Sequence, residues 1–225
     1  MNTGQGDADR PRHVEVLSGK AVESDYDALA PAYAASLADE LTGKPFDCER
    51  LDAFAARWAG RGLVADLGCG PGQVAAYLAV RGVTVVGLDL SAGMVAQARR
   101  LHPRITFEKA DMLELGAAPA RFVAAVAFYA FVHFDDEVLA RALAAIRTAL
   151  TPGGELLAAT HLGAGWLAPG SLWEVPVGLR FRMFEAGRLE SAIAAAGFKL
   201  IEAAEREPYP DTEYPSRRVY LRARA

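Results

Sequence analysis

The stretch "GLVADLGCGPGQVAAYLAVRG", residues 62–82, sets a short apolar run, a cluster of glycines and a helical period in direct succession. A second apolar run, "VTVVGLDL", follows at once, and short runs keep trading places with helical periods as far as residue 162. Runs of this length bounded by glycine read as buried strands. Strands that alternate with helices form a mostly parallel sheet covered on both faces, because each crossover must return the chain over the sheet. The expected strands are 62–67, 83–90, 104–110, 122–132 and 154–162, with helices over 72–82, 91–101 and 136–150 and "TPGG" as a breaker. Ser91 is a good helix N-cap.

Before this unit, "YDALAPAYAASLADEL" and "DCERLDAFAARWAG" read as amphipathic helices, a helical cover over 26–58 broken by Gly43 and Pro45. Residues 1–20 read as a flexible lead. After residue 161 the pattern changes: 163–184 reads as loop-like or partly stranded, with 162–185 as a lid, 185–197 as a helix, and 198–209 and 216–225 as two strands. Their connection is too short for a helical crossover, so they pair antiparallel. The expectation is a single α/β domain over 21–225.

At 225 residues, with 52% hydrophobic and 23% charged residues, the chain can bury a sizeable core. A net charge of −4 gives no broad basic field, so nucleic acid is not an expected partner. No apolar stretch is long enough to span a membrane, and the two cysteines, Cys48 and Cys69, suggest reduced thiols. These features predict a cytoplasmic protein, monomer or homodimer, without a metal site.

In an open parallel sheet, ligands bind at the carboxyl ends of the strands. "VADLGCGPG" lies at such an end, where bare backbone at Gly68 and Gly70 admits a ligand closely. A tight turn without a ligand is the plain alternative. Asp89 ends the next strand, about 20 residues beyond the turn, where an acid can accept ribose hydroxyls. Asp111 ends the third, where its carboxylate or the Met112 N–H suits an adenine edge. Each of these aspartates, taken alone, reads equally as a turn former. The glycine spacing G-x-G-x-G departs from the dinucleotide pattern G-x-G-x-x-G. Asp66, directly before the loop, would repel a pyrophosphate and suits an ammonium group.

At these residues the chain resembles the class I S-adenosylmethionine-dependent methyltransferases. "VADLGCGPG", "VVGLDLS", "KADMLEL" and "FYAFVHF" match their motifs in order, and "LTPGGELLAATH" their turn and fifth strand. The resemblance implies a doubly wound, Rossmann-like sheet of seven strands with an antiparallel last strand. It implies S-adenosyl-L-methionine as cofactor, held by Asp66, Gly68, Gly70, Asp89, Leu90, Met94, Asp111, Met112 and Phe128, with Tyr26 and Tyr33 reaching in from the cover. The acceptor would be a small molecule methylated on oxygen or nitrogen. His133, just past the fourth strand, is the candidate general base, and a helix-entry histidine is the alternative. Tyr129, His161, Trp166, Trp173 and Arg217 are the candidate acceptor contacts. Glu213, Tyr214 and Arg218 share the mouth with Arg217, where an arginine would suit a substrate carboxylate. Two other readings stand beside this one: an NAD(P)-dependent oxidoreductase, and a non-catalytic cofactor-binding protein with the same fold.

Overall fold

The computed structural model describes residues 19–210 and 212–225. In chain order the regular elements begin with α1 (Gly19–Leu37), α2 (Pro45–Trp58), β1 (Leu63–Leu67), α3 (Gln73–Ala79), β2 (Thr84–Asp89) and α4 (Ala92–Leu101). Then come β3 (Thr106–Lys109), β4 (Phe122–Phe128), α5 (Asp136–Ala149) and β5 (Leu150–Leu162). Short strands β6 (Trp166–Leu167), β7 (Ser171–Leu172), β8 (Val175–Pro176) and β9 (Phe181–Arg182) precede α6 (Arg188–Ala195), β10 (Lys199–Arg206) and β11 (Arg217–Arg224).

Seven strands form one sheet in the order β10-β11-β5-β4-β1-β2-β3. β3, β2, β1, β4 and β5 run parallel, and β11 lies antiparallel to both β5 and β10. The two-residue period of a strand sends Ala65 and Leu67 to one face and Val64 to the other. Ala65 and Leu67 join a buried cluster with Leu139, Leu143 and Ile146 of α5 and Leu189 and Ile193 of α6. Val64 joins one with Leu51 and Phe54 of α2, Val74 and Leu78 of α3 and Val95 of α4. The sheet is therefore covered on both sides, the doubly wound arrangement that the alternation predicted. Strand order reverses between β1 and β4, which places a crevice over their carboxyl ends.

Local chemistry fixes the ends of the helices beside that crevice. Ser91 caps α4 by accepting from Met94 N at 3.0 Å, and Asp135 caps α5 by accepting from Val138 N at 2.8 Å. α1 is docked on the start of α4 by Asp27, whose Oδ1 accepts from Ser91 Oγ (2.5 Å) and Gly93 N (2.7 Å). Gly87 of β2 has no room for a side chain, since a Cβ there would lie 2.3 Å from the Phe107 ring and 2.9 Å from Cys69 Sγ.

Three boundaries differ most from the sequence reading. α1 begins at Gly19, so the end of the expected lead is helical, and residues 1–18 of that lead lie outside the described residues. β4 stops at Phe128 because Tyr129 takes a positive φ of 57°, turning the chain out of the sheet. β5 starts at Leu150, running through "TPGG" with a register shift against β4 between Phe122 and Ala124. Residues 163–184, read as loop-like or partly stranded, hold two short antiparallel pairs, β6 with β9 and β7 with β8. Among the described residues, no helix is long and apolar enough to cross a membrane, and Cys48 and Cys69 are both free thiols.

Candidate active site

A cavity of about 920 Å³ occupies the crevice. Its floor is the turn between β1 and α3. Gly68 N and Cys69 N both donate to Leu88 O (2.8 and 3.1 Å), which ties the turn to β2. Gly68 and Gly70 have φ of 64° and 53°, the left-handed region in which a side chain is strained. A Cβ at Gly68 would also strike Ala130, 2.9 Å away, whereas at Gly70 the nearest atom is on the Tyr33 ring at 3.8 Å. Bare backbone at Gly70 therefore borders open cavity.

Asp89 organises the rim. Its Oδ2 accepts from Gly70 N (2.8 Å) and its Oδ1 from Ser91 N (2.9 Å), joining the two turns through one carboxylate. Each oxygen keeps a further lone pair for a ligand hydroxyl. Burial raises the Asp89 carboxyl above its ordinary range against those two bonds. Asp66 is 2% exposed and accepts from Ala75 N at 2.9 Å. Burial, and secondarily the charge of Asp89, pushes its carboxyl up to about 7, with the Ala75 bond opposing. A buried acid in that state suits a cation brought by a ligand. Asp111 accepts from Leu113 N (2.9 Å) and opens the 3₁₀ turn Met112–Ala117. Leu90, Met94, Met112 and Phe128 complete the apolar wall.

Tyr26 and Tyr33 of α1 line the cavity from above, their rings edge-to-face with centroids 6.2 Å apart. Burial raises both phenols well above their ordinary value. His133 also lines the cavity, but both its nitrogens are engaged: Nδ1 with Arg180 O at 2.7 Å, Nε2 with the Tyr26 hydroxyl at 2.8 Å. A carbonyl only accepts, so Nδ1 carries the proton and Nε2 accepts from Tyr26. Burial lowers the His133 pKa, keeping the ring neutral. The candidate base thus has both ring nitrogens bonded within the protein. His133 joins α1, the end of β4 and the segment 163–184, and Asp25 adds a second tie by accepting from Gly178 N at 2.9 Å.

The other end of the cavity is aromatic and polar. Tyr129, His161 and Tyr214 line it, with the Tyr129 and His161 ring centroids 4.8 Å apart and those of His161 and Tyr214 6.3 Å apart. Trp173 and Phe181 line the cavity beside α1 instead, Trp173 meeting Tyr33 edge-to-face at 5.4 Å and Phe181 lying 5.0 Å from the His133 ring. Two expected contacts are not there. Trp166 does not line the cavity; it pairs with Arg182 in the β6–β9 ribbon, under the Arg180 guanidinium. Arg217 is half-exposed and pairs with Glu205 and Glu207 on the outer surface. Its neighbour Arg218 is 2% exposed and lines the cavity instead, because strand alternation sends the two to opposite faces.

Beneath this end lies a buried charged network that the sequence reading missed. Arg206 donates to both oxygens of Glu213 (2.6 and 2.8 Å), to Asp47 Oδ1 (2.7 Å) and to the Tyr220 hydroxyl (3.0 Å). Tyr220 donates to Asp47 Oδ1 at 2.6 Å and lies 3.3 Å from the Tyr129 hydroxyl. Against the cost of burial, the Arg206 bonds, the Tyr209 N–H and the Arg218 charge hold Glu213 down to about 2. Asp47 and Arg206 are 159 residues apart, and no local pattern announces such a partner.

A family model described as a methyltransferase domain matches residues 64–154. The chain is 33% identical over 177 residues to a malonyl-[acyl-carrier protein] O-methyltransferase of Enterobacter lignolyticus, covering 76% of this chain and 68% of that protein. It is 47% identical over 58 residues to a trans-aconitate 2-methyltransferase of Methylobacterium nodulans, 25% of this chain and 22% of that one. The fold superposes on a Burkholderia thailandensis 1,6-didemethyltoxoflavin-N1-methyltransferase solved with S-adenosylhomocysteine, with a TM-score of 0.71 and 24% identity over 96% of this chain and 92% of that one. The chain spans 22% to 56% of the length of the first curated relatives it matches. With the sheet order, the glycine turn and the strand-end acids, these likenesses place the chain in the class I S-adenosylmethionine-dependent methyltransferases. S-adenosylmethionine is accordingly the cofactor of its family, and the open backbone at Gly70, the buried acid Asp66 and the Asp89 rim fit it.

Proposed function

We propose that this protein transfers a methyl group from S-adenosylmethionine to an oxygen or nitrogen of a small-molecule acceptor. One observation carries the reading: a single cavity joins the glycine turn and strand-end acids to a second, aromatic end at Tyr129, His161 and Tyr214. Two neighbouring compartments in one crevice are what a two-substrate transfer needs.

Asp66 would face the ammonium of the cofactor, Asp89 its ribose hydroxyls and Asp111 with Met112 its adenine edge. Gly68, Gly70, Leu90, Met94, Phe128, Tyr26 and Tyr33 would shape the remaining walls. The chemistry that S-adenosylmethionine supplies when bound is an electrophilic methyl group on a sulfonium. The protein's part is to align an acceptor atom about 3–3.5 Å from that methyl and to exclude water. Segment 163–184 acts as the lid, with Trp173 and Phe181 as its inner surface. His133 positions Tyr26 and this lid. The named relatives act on acceptors as different as a malonyl carrier protein, trans-aconitate and a didemethyltoxoflavin, so family membership leaves the acceptor open. The setting we infer is a reducing, cytoplasmic one, with the chain as monomer or homodimer.

Calorimetric titration with S-adenosylhomocysteine, with NADH as competitor, tests the cofactor assignment. Tight binding without competition is the expected result, and binding of NADH alone would overturn it. Transfer of labelled methyl to members of a metabolite panel then tests the activity.

A further inference from the structure

The end of the cavity farthest along the sheet from β3 is built by three adjacent strands. Tyr129 follows β4, His161 lies near the end of β5, and Arg218 near the start of β11 is its direct cross-strand neighbour. An antiparallel strand is required for this, because only a reversed strand brings its first residues to the carboxyl ends of the others. Lys44, at the start of α2, completes the corner with its Nζ 5.6 Å from the centre of the Tyr129 ring.

Arg218 is buried and donates through Nη1 to Tyr214 O (2.9 Å) and to Ser216 O. Its Nε is enclosed by protein and ion-paired with Glu213 Oε1 at 3.5 Å. Glu213 also takes the two Arg206 bonds and Tyr209 N at 2.9 Å. Lys44 pairs with Glu40 and is 3.8 Å from Glu213. His161 bonds Ser216 Oγ through Nδ1 at 2.8 Å, leaving Nε2 as its remaining polar atom. The corner thus gathers three nitrogen-bearing side chains, Arg218, Lys44 and His161, on the lining of the cavity.

We propose that Arg218, Lys44 and His161 form a carboxylate subsite, and that the methyl acceptor is a small planar molecule carrying that carboxylate. The proposal rests on the methyltransferase reading above and adds the chemistry of the acceptor. Arginine offers the donor fork that a carboxylate fits, and lysine a point charge beside it. Tyr129 and Tyr214, both packed beside His161, supply flat faces for the rest of the molecule. Electrostatics agrees with the geometry. Burial, then the charges of Arg218 and Lys44, push His161 down to about 4, with Glu213 opposing. An anion in the corner would relieve that field.

The test uses protein saturated with S-adenosylhomocysteine and two matched probes, benzoate and benzamide, followed by calorimetry or ligand-observed NMR. Benzoate should bind at least tenfold more tightly than benzamide. Arg218→Gln and, separately, Lys44→Gln should each weaken benzoate at least fivefold while S-adenosylhomocysteine affinity stays within twofold. Lys44→Gln keeps the test open if Arg218→Gln loosens the loop it braces, and Arg218→Lys should recover part of the loss. Equal binding of the two probes, no binding of benzoate, or benzoate affinity untouched in both folded variants would overturn the subsite. Loss of S-adenosylhomocysteine affinity in Lys44→Gln, with benzoate excluded by the bound nucleoside, would instead assign the corner to the cofactor's own carboxylate. Failure of S-adenosylhomocysteine to bind the unmodified protein would strike the methyltransferase reading itself, a distinguishable result.

Discussion

The hydroxyl of Tyr26 donates to Nε2 of His133 across 2.8 Å, joining residues 107 positions apart in sequence. Because Nδ1 of the same ring holds Arg180 O at 2.7 Å, one neutral imidazole fastens α1 and the lid to the end of β4. Tying the two covers through a titratable group makes the closed site sensitive to pH.

His133→Ala should therefore cost about 1–3 kcal/mol of stability, since it orphans a buried hydroxyl and a buried carbonyl. Burial depresses the folded-state pKa of His133, so its contribution is present above the unfolded value near 6.5 and lost as pH falls through the lower folded value. Urea unfolding of both proteins from pH 8 to pH 5 should show the difference shrinking toward acid. A difference that stays constant with pH would remove the junction from the account.

Asp66→Asn should separate stability from binding. The carboxyl is raised from 3.8 to about 7, so the ionised group destabilises the ligand-free fold as pH rises between those values. The variant should gain stability that grows from about pH 4 and levels near pH 7, with a ceiling of about 4 kcal/mol. Its S-adenosylhomocysteine affinity should fall about tenfold or more, through loss of a charged partner for the ammonium. Unfolding curves across pH and a calorimetric titration check the two halves independently.

Asp89→Ala removes the acceptor for Gly70 N and Ser91 N together with the proposed ribose contact. Losing a charged hydrogen-bond partner is worth roughly 1.5–3 kcal/mol, so cofactor affinity should fall about 10- to 150-fold. An unchanged dissociation constant in a folded variant would reduce Asp89 to a residue that shapes the turn.

Gly87→Ala is expected to destabilise without touching the cavity directly. The new Cβ would lie 2.3 Å from Phe107 and 2.9 Å from Cys69 Sγ, so the ring must shift. Overpacking of this kind costs about 1–3 kcal/mol, read as a lowered urea midpoint at constant slope.

Much of this protein was legible in the sequence because its signals are local. Alternating short apolar runs and helical periods fixed β1 to β5 and α3 to α5 to within a few residues, and Gly68, Gly70, Asp66, Asp89 and Asp111 all fall in the cavity. A strand end followed by a glycine turn must lie at the ligand-binding edge of a parallel sheet, whatever the rest of the chain does. Partners distant in sequence were not legible. Arg218 rather than Arg217 faces the cavity because the register of β11 against β5 sets Arg218 opposite His161, and a one-residue slip would exchange them. The bonds of His133 and the Asp47–Arg206–Glu213 network depend on where α1, α2 and the residues around Glu213 settle on the finished sheet. Hydrophobic period and turn residues act within about a dozen positions and so determine elements. Which polar side chains meet is decided only when tertiary burial removes water and forces each one to find a partner.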